Sequence, residues 1–207
     1  MRKSLGLTAV GLLLCAMGAL AEPVAMGTFP MIDADSNDPI VKPIFDAMKA
    51  KGAGPLNIHR TIANAPEVYK GFATFASALR QNTESPRAER ELAILRTTQL
   101  KGGNYEFAQH RRIGLSCGLT EQQVDGLPDW KSQTVYSDRQ RLILQYVDSM
   151  LANGTVDNPT MLRVRQVFSP KEIVELTMTS AFYTAVVQFS RAVRVEPEEV
   201  ETNYAGC

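Results

Sequence analysis

Residues 91–110 read ELAILRTTQLKGGNYEFAQH, and this stretch decides the fold. The first ten residues are mostly apolar and predict a buried helix. The pair Gly102–Gly103 then interrupts the pattern, as expected of a tight turn. A second helix is predicted to start on Asn104, whose side chain suits a helix N-terminus. The stretch therefore predicts two consecutive helices that fold back beside each other.

Three titratable side chains of this hairpin are predicted to converge. Glu106 and His110 are four residues apart and share one helix face. Glu91, nineteen residues before His110, reaches the same pocket if the helices lie side by side. Histidine exchanges protons near neutral pH, so one His with two carboxylates is suited to proton transfer. A helix-face ion pair or a hydrogen-bonded core His fits the same spacing and is the structural alternative.

The rest of the chain carries helical signals only. Ser/Thr-x-x-Glu/Gln capping boxes occur at Thr120, Ser137 and Ser169. No segment alternates in the manner of a β-strand, so the sequence predicts an all-α bundle of about seven or eight helices. One of them, Pro66–Arg80, is expected to bury an apolar face. That face consists of Val68, Phe72, Phe75, Ala76 and Leu79.

A faint internal repeat is also present. Residues 85–92 and 169–176 share Ser, Pro, a basic residue, Glu and Leu at equivalent positions, and Glu91 then aligns with Glu175. This favours two related helix pairs within one fold. Ser-Pro is a common helix start, so a chance match is the alternative.

The N-terminus has the features of a secretory signal peptide. Arg2 and Lys3 precede an apolar run from Leu5 to Leu20, and Ala19–Ala21 is a small-x-small cleavage site. We expect residues 1–21 to be removed and residues 22–207 to form a single domain. The expected location is the periplasm or the outside of the cell, with no membrane attachment after processing. A buried N-terminal helix is the alternative.

Charge and cysteine content limit the partners. The chain has 22 basic and 22 acidic side chains, so there is no basic excess that would indicate nucleic-acid binding. A small-molecule substrate and copies of the same chain are the expected partners. The cysteines left after processing are Cys117 and Cys207, which can pair within one chain, pair between subunits or stay free. No C-x-x-C occurs and histidine is limited to His59 and His110, so no metal site is expected.

Two segments resemble a known family. Residues 57–79 (NIHRTIANAPEVYKGFATFASAL) and 89–120, which include Tyr105-Glu106-Phe107, His110 and a following Gly-Leu-Thr, are similar to the carboxymuconolactone decarboxylase family. That family includes decarboxylases and the alkylhydroperoxidase D-like thiol peroxidases. The resemblance implies a compact helical bundle of the alkylhydroperoxidase D-like type. It also implies a homo-oligomer, a trimer or hexamer, and a site that needs no cofactor.

The resemblance also indicates which of the two branches of the family the chain matches better. In the peroxidase branch the motif is a Glu, then C-x-x-C, then a His. Glu91 and His110 match its ends, but the two cysteines fall on Gly103 and Glu106. Peroxidation by thiols needs a thiolate, so that chemistry is not expected here, and the decarboxylase-like branch is the better match.

The resemblance implies a cofactor-independent lyase or isomerase that acts on an unsaturated lactone or carboxylic acid. Such a reaction leaves an electron-rich anion that must receive a proton on carbon. Glu91, Glu106 and His110 are the expected proton carriers. Arg96 is expected to bind a substrate carboxylate, and Tyr105 and Phe107 to line the pocket or pack in the core. The alternatives are an antioxidant protein of the peroxidase superfamily and a non-catalytic exported oligomer that binds a ligand.

Overall fold

The computed structural model describes residues 28–81, 83–198 and 207, and within these ranges the secondary structure is entirely helical. The predicted signal peptide lies outside the described residues. No helix in the described part is long and apolar enough to cross a membrane. The helices are α1 (Val41–Ala50), α2 (Asn57–Ile62), α3 (Pro66–Arg80), α4 (Arg87–Leu100), α5 (Asn104–Ser116), α6 (Glu121–Asp125), α7 (Asp138–Asn153), α8 (Asn158–Val167) and α9 (Pro170–Ala192), with a 3-10 turn at Leu127–Asp129.

The all-α class is confirmed, but the expected number of helices is too low. The described residues form nine α-helices, and the one that the sequence did not indicate is α2, of six residues. This helix is too short to show an apolar period of its own. It is held by packing, since Ile58 and Ile62 are buried in the same core as α1 and α3.

The three predicted capping boxes are confirmed. At Thr120, Ser137 and Ser169 the side chain accepts from the backbone N–H three residues on, and the Gln or Glu there accepts from the cap residue. Ser85 precedes the start of α4 in the same Ser-Pro context as Ser169, but its side chain does not cap that helix. Its hydroxyl instead donates to Glu175 Oε2 at 2.8 Å, and that carboxylate also accepts from two backbone N–H groups just before α4. A carboxylate from α9 thus anchors the chain where α4 begins.

Helix α4 occupies the centre of the molecule and packs against α5, α7 and α9. Its residues from Arg90 to Thr98 are all buried, including the charged ones. A helix enclosed on every side must pair its charged groups. Those pairs place charged side chains inside the bundle and prepare the site described below.

The turn between α4 and α5 forms as predicted. Gly102 has φ +67°, the left-handed conformation that glycine adopts without strain. Gly103 packs directly on α9, where a Cβ would lie 2.4 Å from Val187 Cγ2. The predicted cap at Asn104 is wrong, because α5 begins at this residue and no side chain caps it. The two glycines bring α5 back against α4.

The buried face of α3 differs from the expected one. Ala76 and Leu79 are buried as predicted, whereas Val68 is 64% exposed and Phe75 is 36% exposed. Helix α3 covers one side of the bundle and its innermost side chain is Tyr69, which is fully buried. Phe72 and Phe75 pack against Phe182 of α9, and the contact leaves Phe75 partly exposed. Periodicity identifies an apolar face but not how much of it a neighbour covers.

The two cysteines form a disulfide within the chain. Cys117 at the end of α5 is bonded to Cys207, with 5.2 Å between their Cα atoms and 90 residues between them in sequence. The C-terminal end of the chain is therefore tied to the end of the helix that carries His110.

Candidate active site

The centre of the candidate site is a buried pair on the two helices of the hairpin. His110 Nδ1 lies 2.7 Å from Glu91 Oε2. Glu91 is 0% exposed and His110 is 5% exposed. The turn at Gly102–Gly103 sets α4 and α5 side by side, so residues far apart in sequence meet across the interface. The carboxylate therefore fixes the orientation of the imidazole ring.

A cationic side chain supports Glu91 from its own helix. Arg87 lies one turn earlier on α4 and approaches Glu91 Oε1 at 2.5 Å. Burial by itself disfavours the ionised carboxylate, but the contacts with His110 and Arg87 outweigh it and hold the pKa of Glu91 below its ordinary value. Glu91 is therefore an anion at neutral pH. Sequence reasoning missed Arg87, although its four-residue spacing from Glu91 was a usable signal.

Glu106 lies on the other side of the imidazole. Its Oε2 is 4.0 Å from His110 Nε2, which is too long for a hydrogen bond. Burial raises the pKa of Glu106 to about 7, His110 opposes this rise, and the negative charge of Glu198 adds to it. A position in the first turn of a helix favours the carboxylate form, but burial outweighs that effect at Glu106. Its buried Oε1 has no hydrogen-bond partner in the described part of the chain.

Tyr105 points to the segment that follows α9. Its hydroxyl donates to Glu198 Oε1 at 2.6 Å, and Gln109 Nε2 also donates to the Glu198 carboxylate. The backbone N–H of Asn57 donates to the same carboxylate at 3.0 Å. Glu198 thus joins the start of α2 to Tyr105 and Gln109 of α5, where sequence reasoning had placed no partner.

The side chains of Tyr183, His59 and Arg80 lie around His110 and Glu106. The ring of Tyr183 meets that of His110 edge to face, with 4.6 Å between the centroids. His59 Nδ1 lies 3.2 Å from the hydroxyl of Tyr69, and burial lowers the pKa of His59 to about 3, so its ring is neutral. A cavity of about 40 Å³ remains between these groups and is lined by His110, Glu106, Tyr183, His59, Arg80 and neighbouring apolar residues. A space of this size holds about one water molecule.

A much larger cleft lies beside this cavity. It has a volume of about 730 Å³ and runs between α1 and α3. His59 and Arg80 line both the cleft and the small cavity, and Arg87 also reaches the cleft wall. The candidate site therefore borders a space large enough for a small organic molecule.

Two residues expected to bind substrate lie elsewhere. Arg96 donates to both carboxylate oxygens of Asp148, at 2.6 and 3.0 Å, and to the carbonyl of Leu127. It lies five residues after Glu91, on another side of α4, and ties α4 to α7. Phe107 packs into the apolar cluster around Leu92. The structure thus brings together Glu91, Glu106 and His110, whereas Tyr105, Arg96 and Phe107 do not line the cavity.

The arrangement is suited to proton transfer. An anionic carboxylate holds Nδ1 of the imidazole, while Nε2 and the Glu106 carboxyl group border the same small cavity. A carboxyl group with a pKa near neutrality can donate and accept protons at neutral pH. In the described ranges, no three His, Cys, Asp or Glu side chains are grouped so that they could hold a metal ion.

Comparisons with known proteins add the family and the fold. Residues 66–149 match the model of the carboxymuconolactone decarboxylase family, whereas a comparison with curated proteins finds no match. Among solved structures, the chain is similar to the alkylhydroperoxidase AhpD core of an uncharacterized peroxidase-related protein from Ralstonia eutropha JMP134. The sequence identity is 17%, the similarity covers 83% of this chain and 92% of that chain, and the TM-score is 0.72.

Two other structures show the same fold. The debrominase Bmp8, solved in complex with 2,3,4-tribromopyrrole, is 15% identical over 84% of this chain and 94% of its own, with a TM-score of 0.71. A protein of unknown function from Agrobacterium tumefaciens is 22% identical over 68% of this chain and 96% of its own, with a TM-score of 0.62. The family match spans Glu91, Glu106 and His110. Residues 66–149 therefore match the model of the carboxymuconolactone decarboxylase family, and the chain has the helical fold of the AhpD-like structures.

Proposed function

We propose that this protein is a cofactor-independent lyase or isomerase that moves a proton at a carbon atom of an unsaturated lactone or carboxylic acid. Glu106 and His110 are the groups that exchange protons with the substrate, and Glu91 positions His110. The observation that carries this proposal is the placement of two proton carriers, 4.0 Å apart, on one cavity.

The proposed decarboxylation needs one proton and no redox partner. The bond between the substrate carbon and its carboxylate breaks, carbon dioxide leaves, and the electron pair stays on the substrate as a conjugated enolate. The protonated carboxyl group of Glu106 then gives its proton to carbon, and water restores it through His110. In an isomerase the same two groups remove a proton from one carbon and return it to another.

Export and assembly complete the proposal. The disulfide between Cys117 and Cys207 supports an oxidising compartment, in agreement with the signal-like N-terminus. Exposed apolar side chains on α9, Val174 and Met178, support a homo-oligomer built on this face. We propose a periplasmic or secreted trimer or hexamer.

The decisive experiment follows proton transfer directly. Mature protein is incubated in deuterium oxide with a panel of unsaturated lactones and carboxylic acids, and incorporation of deuterium at carbon is measured by mass spectrometry. We expect incorporation with at least one member and a rate that falls above about pH 7, because Glu106 must be protonated to donate. Incorporation at equal rates in wild type and a folded His110→Gln variant would rule out this site. A parallel hydroperoxide assay tests the antioxidant alternative.

A further inference from the structure

The cleft between α1 and α3 has mostly apolar walls with positively charged side chains along them. Apolar side chains from both helices form most of its walls, and α2 and α5 contribute at the inner end. Its volume of about 730 Å³ lies in the range of sites that bind small organic molecules. The apolar wall residues are Pro43, Ile44, Ala47, Met48, Ala53, Ala73, Ala78 and Ile113.

The charged side chains that line the cleft are all positive. Lys51, Lys70 and Arg80 line it, and none of the described residues in its wall is acidic. Arg87 also reaches the wall, but Glu91 neutralises it. The other three cations form no ion pair within the described ranges. Three uncompensated cations beside an apolar wall attract an anion that has an apolar body.

The position of Arg80 relates this cleft to the proton-transfer site. Arg80 is exposed at the end of α3 and lines both the cleft and the small cavity. An anionic group bound there lies at the entrance to the cavity that contains His110 and Glu106. The small cavity alone is too small for a substrate, so a reacting molecule must keep most of its atoms in the cleft.

We propose that the α1–α3 cleft binds an amphipathic organic anion, whose charged group contacts Arg80 and whose apolar body lies along α1. Lys70, ten residues before Arg80 on α3, adds positive charge to the same wall. The identification of this anion as the substrate rests on the function proposed above. The binding of the anion does not rest on that function, because the cleft residues are separate from the proton carriers. Binding and turnover are therefore measured separately.

The test uses octanoate and its neutral counterpart octanamide, which have the same body and differ in charge. Isothermal titration calorimetry is performed with wild type, the double variant Lys70→Ala/Arg80→Ala, and Arg165→Ala. Arg165 is an exposed cation on α8, outside the cleft, and serves as the matched control. We expect saturable octanoate binding that the double variant weakens about tenfold or more, as for the loss of charged hydrogen bonds. Octanamide binding should change less than about twofold, and Arg165→Ala should behave as wild type.

Other outcomes would overturn the proposal. Octanoate that binds no more tightly than octanamide would show that the cations do not select an anion. Equal weakening by Arg165→Ala would show a general charge effect, and absence of saturable binding would remove the site. The His110→Gln variant separates the two proposals. Normal octanoate binding without turnover of any substrate supports the cleft whatever the fate of the proposed reaction.

Discussion

His110 Nδ1 lies 2.7 Å from Glu91 Oε2, across the interface between α4 and α5. The carboxylate is fully buried and ionised, so it holds one edge of the imidazole and leaves the other edge facing Glu106 and the cavity. The two carboxyl groups around one ring thus differ in state, because Arg87 compensates only Glu91. This difference assigns a positioning role to Glu91 and a proton-carrying role to Glu106.

Loss of either member of the pair should reduce turnover. We expect His110→Gln and Glu91→Gln each to lower the rate on a responsive substrate by about 10²-fold or more, the scale of general acid–base catalysis. The ring of His110 is buried against Tyr183, so the Gln variant, which leaves a smaller void, is preferable to Ala. Circular dichroism checks the helix content. Glu67→Gln, an exposed change on α3, is the control and should retain full activity.

Glu106 should make stability depend on pH. Burial raises its pKa from 4.5 to about 7, so the folded protein holds this proton more tightly than the unfolded chain. The contribution of this proton to the free energy of unfolding is fully present below about pH 4.5 and is lost as the pH rises to about 7. Glu106→Gln cannot ionise. Thermal unfolding should therefore show Glu106→Gln gaining stability relative to wild type between these pH values. A difference that does not change with pH would contradict the buried neutral acid.

The segment after α9 should set the acidity of Glu106. The charge of Glu198 helps to raise the pKa of Glu106, so Glu198→Gln should lower that pKa. The alkaline limb of the pH–rate profile should then move to lower pH. Glu196→Gln is the control, because that residue bonds to Asn57 through its backbone carbonyl and not its side chain. Equal shifts in both variants would point to a general loosening of the segment.

Removal of the disulfide should affect stability and not chemistry. The double variant Cys117→Ser/Cys207→Ser opens a loop of 90 residues. Such a cross-link contributes about 2–4 kcal/mol to the free energy of unfolding. Urea denaturation should show this loss, while turnover at 25 °C should stay unchanged because neither sulfur takes part in proton transfer. Loss of hydroperoxide reduction together with the thiols would instead favour a peroxidase.

The exposed face of α9 should mediate assembly. Val174 is 61% exposed and Met178 is 40% exposed, and they lie one helical turn apart. We expect light scattering to give a mass of three or six mature chains, and Val174→Asp to reduce it. Val174→Thr keeps the shape of the side chain and is the control. A wild-type mass of one chain at micromolar concentration would refute the oligomer.

Local chemistry predicted from sequence agrees with the structure, and tertiary contacts account for the differences. The capping boxes at Thr120, Ser137 and Ser169 depend on residues three apart, so the sequence contains the whole interaction. Ser85 has the same local appearance, but Glu175 on a distant helix takes its hydroxyl. Tertiary contacts also decide the burial of Phe75, which stays partly exposed although it lies on the apolar face of α3.

In the candidate site too, some features follow from the local sequence and others depend on tertiary contacts. The four-residue spacing of Glu106 and His110 and the glycine turn predicted which side chains meet. The raised pKa of Glu106 depends on burial and on Glu198, which lies 92 residues later. Sequence could not decide this, nor that Arg96 faces Asp148 on α7. The internal repeat remains a prediction.

The contact between Gly103 and Val187 limits how this sequence can evolve. The resemblance aligns Gly103 with the first cysteine of the peroxidase motif, and a side chain at this position would collide with Val187 of α9. Thiol chemistry of that type would need cysteines at Gly103 and Glu106, and a smaller residue at Val187. No single substitution on that path gives a working pair of thiols, and the first step at Gly103 costs packing. Close packing of α9 on this turn therefore opposes a cysteine at Gly103, whatever the role of the nearby carboxylates.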